Sequence, residues 1–212
     1  MLTYNRNKLD SWTFNIPRSS CENFKSEWCD RHCYAARGRF NFSTVKDSNK
    51  RNLDLANSAQ FVDTINTQIK KKNIPTVRIH SVGEFFSPEY AEKWYNIIEH
   101  NPQCTFWAFS RAFKDRKIKK VLLEMDNLPN AVIWASADLT MPIYQFLKDT
   151  KIKRYSLVTD LTAKQIIEMS DVRGLFDTFR KHLCTHQING TVCTQCRRCL
   201  DKDSKFVVFG RH

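Results

Sequence analysis

Short apolar runs, rich in β-branched and aromatic residues, alternate along the chain with longer amphipathic stretches. Ser11 to Pro17 (SWTFNIP) is a β-prone run closed by proline. Thr44 to Lys72 carries Leu53, Leu55, Phe61, Val62, Ile65 and Ile69 at roughly helical spacing and predicts a long helical stretch. Thr76 to Val82 (TVRIHSV) reads as a strand, and Pro88 stands near the start of a helix running through Ile97 and Ile98. The rhythm then repeats. Cys104 to Ser110 is a strand and Lys114 to Met125 a basic amphipathic helix. Ala131 to Ala137 is a strand and Pro142 to Lys148 a short helix. Arg154 to Asp160 is a strand and Thr162 to Met169 a helix. Lys205 to Gly210 (KFVVFG) is a last strand.

Apolar strands alternating with helices predict an α/β fold with parallel strands. About six βα units are too few for a full eight-fold barrel. That leaves a partial, open (β/α)6 barrel or a doubly wound sheet. Residues 1–183 form the α/β unit. Residues 184–212 read as a Cys-rich, cluster-binding extension with the last strand, not as a second domain.

Cysteines supply the candidate chemistry. Seven of the eight fall in two tight sets: Cys21, Cys29 and Cys33, spaced C-x7-C-x3-C, and Cys184, Cys193, Cys196 and Cys199, spaced C-x8-C-x2-C-x2-C. The first set follows the first predicted strand, at the end of the sheet where α/β folds place their ligands. Three thiolates can hold a four-iron, four-sulfur (4Fe–4S) cube by three of its irons and leave the fourth open. A zinc site completed by His32 is the rival. The second set contains the C-x2-C-x2-C run that wraps such a cube in bacterial ferredoxins, with Cys184 as fourth ligand. A structural zinc site is the rival here also, and His186 is a spare candidate ligand. Arg197 and Arg198 could offset cluster charge. Cys104 stands alone and reads as a buried thiol.

Hydrophobic residues make up 42% of the 212-residue chain, enough for a sizeable core. The residues after Met1 are polar and do not form a signal peptide, and no apolar run approaches the roughly 20 residues of a membrane span. A cytoplasmic setting is expected, in which clustered cysteines are metal ligands more often than disulfides. The formal charge is +12. Thiolate formation on metal binding lowers it by a few units, and the remaining excess suits nucleic acid or another polyanion as a partner.

The cysteines after the first strand, the Gly83-Glu84 pair after the second and polar residues at later strand ends resemble the radical S-adenosylmethionine (SAM) fold. A closer likeness is to a phage-encoded family called gene product eighty-eight. It rests on Cys33-Tyr34-Ala35, Arg78-Ile79-His80, Gly83-Glu84-Phe85-Phe86-Ser87, Ser110-Arg111 and the CTQCRRC run at Cys193 to Cys199. The resemblance implies a viral protein, in the host cytoplasm, with a partial radical-SAM-like barrel, one or two 4Fe–4S clusters and a redox role. It implies that Gly83, Glu84 and Arg111 line a cofactor site, with SAM at the open iron and an electron donor as a further partner. The chain departs from the superfamily in its cysteine spacing, which there is C-x3-C-x2-C. It has Val82 where a second glycine is usual, and RYSLVTD lacks a glycine-flanked adenine motif. Weak or absent SAM cleavage is the expectation.

Single residues carry two readings each. Glu84 suits an amino group or metal-bound water, or caps the helix near Ser87 and Pro88. Arg111 holds an anion or cluster sulfide, or makes a salt bridge. Asp138 and Asp160 end strands, as functional residues or as helix caps. His80 reads as a core histidine, and Trp107, Phe109 and Trp134 as core aromatics. Three functions remain open: a radical-SAM-like enzyme, a non-enzymatic iron–sulfur protein on that scaffold, and a zinc-stabilised basic protein that binds nucleic acid. No catalytic residue is assigned.

Overall fold

The computed structural model describes residues 1–141, 149–169 and 175–211. Among them, seven strands form one sheet in the order of their occurrence in the chain. They are β1 (Thr3–Asn5), β2 (Ser11–Phe14), β3 (Thr76–Ile79), β4 (Thr105–Ser110), β5 (Ala131–Asp138), β6 (Tyr155–Val158) and β7 (Phe206–Phe209). β1 pairs antiparallel with β2, and each later pairing is parallel. The strand order has no reversal of the kind that defines a doubly wound sheet.

The connecting helices follow the apolar periodicity. They are α1 (Glu27–Arg31), α2 (Ser43–Asn57), α3 (Phe61–Lys71), α4 (Pro88–Glu99), α5 (Arg116–Asn127), α6 (Ala163–Glu168) and α7 (Leu175–His182). The C-terminal segment adds α8 (Thr185–Asn189) and α9 (Cys193–Cys196). Pleating divides the strands into two faces. Phe14, Val77, Ile79, Phe106, Ala108 and Ile133 face the helices and meet Ile65, Trp94, Ile97 and Leu122 in the main core. Trp107, Val132, Trp134 and Val207 point the other way and are covered by Leu9, Leu200, Cys193 and Cys199. The Cys-rich extension thus closes the second face of the sheet and also supplies its edge strand, β7. Trp94, Trp107 and Trp134 are fully buried, and each contributes on the order of 3 kcal/mol through removal of apolar surface from water.

Four elements differ from the sequence reading. The stretch Thr44 to Lys72 is two helices, because the chain leaves helical geometry at Ser58, whose hydroxyl donates to the Leu55 carbonyl at 2.8 Å. β1 was not legible, since three residues carry no usable periodicity. β2 stops at Phe14, short of Pro17. β3 ends at Ile79, because His80 adopts a left-handed backbone with φ of 65°. The predicted helix Pro142 to Lys148 lies outside the described residues. No helix among the described residues is long and apolar enough to cross a membrane.

Candidate metal centre

The loop carrying the first three cysteines lies across the carboxyl ends of the parallel strands and is tied to four of them in turn. At β3, the Ser20 hydroxyl accepts from the Glu84 amide at 3.0 Å and Tyr34 donates to the Ser81 carbonyl. After β4, Lys114 donates to the Phe24 carbonyl at 3.1 Å. At β5, the Ser26 hydroxyl donates to Asp138 at 2.5 Å. After β6, the Trp28 indole donates to Asp160. Ser26 is also the N-cap of α1 and accepts from the Cys29 amide at 3.0 Å, so the helix that presents Cys29 is capped and anchored by one side chain. Asp160 caps no helix; Thr162 caps α6 through a capping box with Gln165.

Gly83 packs closely against Ile16 and Ser20 at the start of this loop. Its φ is +104°, and a Cβ there would stand 2.3 Å from Ile16 Cγ1, so only glycine fits. Its amide favours the Cys21 thiolate. Burial pushes the Cys21 thiol up to about 12, with the Glu84 carboxylate and the Cys29 and Cys33 sulfurs adding to the shift. The Cys29 thiol is also raised, first by burial and then by Cys33, Asp138 and Glu84, against the opposing Arg111 guanidinium. The three sulfurs are therefore close enough to influence one another, near one cation and two carboxylates.

Those charged groups are held firmly. Glu84 is 5% exposed. Oε1 accepts from the Ser110 hydroxyl and the Phe85 amide, both at 2.8 Å, and Oε2 accepts from the Arg111 amide at 2.7 Å. It does not cap α4, whose N-cap is Ser87. Burial raises the Glu84 pKa, and these donors only partly offset the effect. Arg111 is not a surface salt bridge: it pairs with Asp138, whose side chain is 1% exposed, and directs the same nitrogen toward Met141. At Asp138 burial disfavours the charge, but hydrogen bonds from Ser26, Thr140 and Arg111 outweigh it and lower the pKa.

The second set also comes together. Cys184 lies nine residues upstream in sequence, yet the Cys199 thiol is raised by burial and then by Cys184, Cys193 and Cys196. Cys193 is raised by burial and by Cys184 and Cys196, eased by Arg78 and Lys8. The Trp134 indole donates to the Cys199 carbonyl at 3.0 Å, fastening this loop to β5. Arg197 turns the chain between the last two cysteines with φ of 55°, and Arg198 donates to the Leu183 carbonyl at 2.9 Å.

Among the described residues, no three His, Cys, Asp or Glu side chains converge tightly enough to hold a single ion. A cubane is held at its corners, so its thiolates stand further apart than the ligands of one ion. Three partly exposed thiols near the strand ends, and four on the second face of the sheet, are the donors available for such a group. His32 stacks on Trp28 and directs Nδ1 to the Trp28 carbonyl; His186 directs Nδ1 to the Gly190 and Thr191 carbonyls. Cys104 is a buried thiol remote from both sets, raised to about 12 by burial.

Arg78 was not singled out as a site residue by the sequence reading, although a charged residue in an otherwise apolar strand is a usable signal. Its guanidinium lies 5.0 Å from the Trp107 ring centre and 5.5 Å from that of Phe109, on the face covered by Cys193 and Cys199. Tyr34, 41% exposed, is influenced by Arg78, which lowers its pKa, and by Cys33, Cys21 and Cys29, which raise it. Arg78 thus acts on the second set and on Tyr34, and Tyr34 on the first set's side is tied to Ser81.

His80 is buried, as a core histidine should be. Nε2 meets the Tyr90 hydroxyl at 2.8 Å, while Nδ1 has no partner among the described residues.

No solved structure matches the chain. The chain is 28% identical over 186 residues to the Gene 88 protein of Mycobacterium phage L5, covering 82% of this chain and 75% of that protein. It is 29% identical over 122 residues to the Gene 88 protein of Mycobacterium phage D29, covering 52% of this chain and 49% of that protein. The family pattern described as Gene product 88 matches residues 2–202, from before the first strand to beyond the last cysteine. The chain belongs to the Gene product 88 family of bacteriophage proteins.

Proposed function

We propose that this phage protein is an iron–sulfur protein on a partial (β/α)6, radical-SAM-like scaffold, with a 4Fe–4S cluster at each cysteine set. The first would be held by Cys21, Cys29 and Cys33 and keep one iron open; the second would be held by Cys184, Cys193, Cys196 and Cys199. The supporting observation is that the cysteines gather in two groups, one at the carboxyl ends of the strands and one against the second face of the sheet. A bound cluster supplies one-electron chemistry at such a site.

The chain's own residues have definable roles. Gly83 presents an amide to Cys21, which favours its thiolate. Arg111, held by Asp138, sets a positive charge beside Cys29. Glu84 spends its carboxylate oxygens on Ser110, Phe85 and Arg111, so it orders the rim; binding the amino group of SAM would require one of those bonds to yield or share. With the altered cysteine spacing, this favours an accessible iron with little SAM cleavage.

The test is electron paramagnetic resonance of the anaerobically reconstituted, dithionite-reduced protein, with and without SAM. Reduced cubane signals are expected, one of them changed by an exogenous ligand, with little 5′-deoxyadenosine formed. Abundant 5′-deoxyadenosine that disappears in Cys29→Ala would establish the enzyme reading instead. A silent, colourless protein would remove the iron–sulfur reading.

A second reading concerns partners. The charge of +12 supports contact with a polyanion such as nucleic acid through phosphate neutralisation.

A further inference from the structure

Behind the first cysteine loop is a cavity of about 280 Å³ that neither sulfur set uses. Arg18 and Lys46 line it, with the side chains of Asn41 and Asn49, over apolar walls that include Phe40 and Val82. No acidic side chain lines it. Arg18 is part-committed to Asp30, while Lys46 is exposed and has no carboxylate partner among the described residues. The local field is therefore positive.

Two observations make this more than a basic dent. Asn49 is 8% exposed, yet its side-chain amide makes no hydrogen bond to any described residue. Asn49 lines the cavity with the hydrogen-bonding capacity of its amide unused. The second is the helix itself. α2 spans 15 residues and begins at the cavity edge, where Phe42 occupies the N-cap position and no side chain caps the first turn. The Val45 and Lys46 amides bond the Phe42 carbonyl, which leaves the Ser43 and Thr44 amides and the positive end of the dipole without a partner among the described residues. Lys46 and Asn49 are three residues apart and share one helix face.

The geometry points to a binding site for a small organic anion, a phosphate or carboxylate on a compact apolar body, in the cavity between α2 and the start of the cysteine loop. Lys46 and the α2 N-terminus take the charge, and Asn49 donates to it. Arg18 contributes whatever of its fork Asp30 leaves free. Phe40 and Val82 cover the apolar part. The volume lies just below the range of ordinary small-molecule pockets, which excludes dinucleotide-sized ligands. The site does not depend on either cluster.

The experiment is an NMR titration of the full chain with phenyl phosphate, benzoate and, as the neutral control, benzyl alcohol, following the Asn49 side-chain amide. Saturable shifts with one or both anions and none with benzyl alcohol are expected; a response to only one anion identifies the headgroup. Lys46→Glu, at an exposed position that tolerates the change, should weaken binding at least tenfold, and Asn49→Leu should do the same with circular dichroism unchanged. No saturable shift with either anion, equal shifts with the neutral alcohol, or full affinity in Lys46→Glu would overturn the proposal.

Discussion

The Ser26 hydroxyl donates to Asp138 at 2.5 Å across 112 residues of sequence. The same oxygen caps the helix that carries Cys29, and the same carboxylate oxygen receives Arg111. One side chain therefore couples the cysteine loop to the charged rim of the sheet. Ser26→Ala removes an N-cap and a buried donor together. The expected loss is about 1–2 kcal/mol of stability, with less iron retained by the first set than by the second. Denaturant melts and iron analysis of the variant check this; unchanged values in both would show the link to be incidental.

Gly83 gives a sharper structural test. A methyl group there meets Ile16 at 2.3 Å on a backbone with φ of +104°. Gly83→Ala should cost about 2–4 kcal/mol through overpacking and strain. It should also disturb Cys21, whose thiolate the Gly83 amide favours. A thermal melt within a degree of the parent protein would contradict the assigned backbone.

His80 predicts a pH dependence. Burial, aided by Arg78, lowers its pKa from 6.5 to about 3. The folded protein holds the ring neutral, whereas the unfolded chain takes up a proton below 6.5. Stability from this group is intact above pH 6.5 and is lost as pH falls toward 3, by up to about 1.4 kcal/mol per pH unit. In His80→Asn, which suits the left-handed backbone, the slope between pH 6.5 and 5 should be shallower by about that amount. His182, also shifted down, is common to both proteins and cancels in the comparison. Equal slopes would refute the buried neutral ring.

The charge predicts weak binding to nucleic acid without sequence preference, falling steeply between 50 and about 200 mM salt. Filter binding or anisotropy with unrelated duplexes checks it. No association at low salt removes nucleic acid as a partner.

Most of the sheet was legible because its strands are runs of β-branched and aromatic residues, such as TVRIHSV and AVIWASA, separated by amphipathic helices. The grouping of the seven cysteines is read from spacing alone. The ties between them and the sheet are not. Ser26 with Asp138 and Trp28 with Asp160 are pairings between distant segments that no local pattern encodes. Arg111 carried two readings until its buried partner was known. The break at Ser58 was hidden because the apolar period runs through it, and the cavity at Asn49 arises from packing among three separate segments.

The central claim is that seven cysteines hold two cubanes, and metal stoichiometry tests it most directly. After anaerobic reconstitution and desalting, iron and acid-labile sulfide should each reach about eight per chain, with negligible zinc. One or two equivalents of zinc, with no labile sulfide and no brown colour, would contradict it.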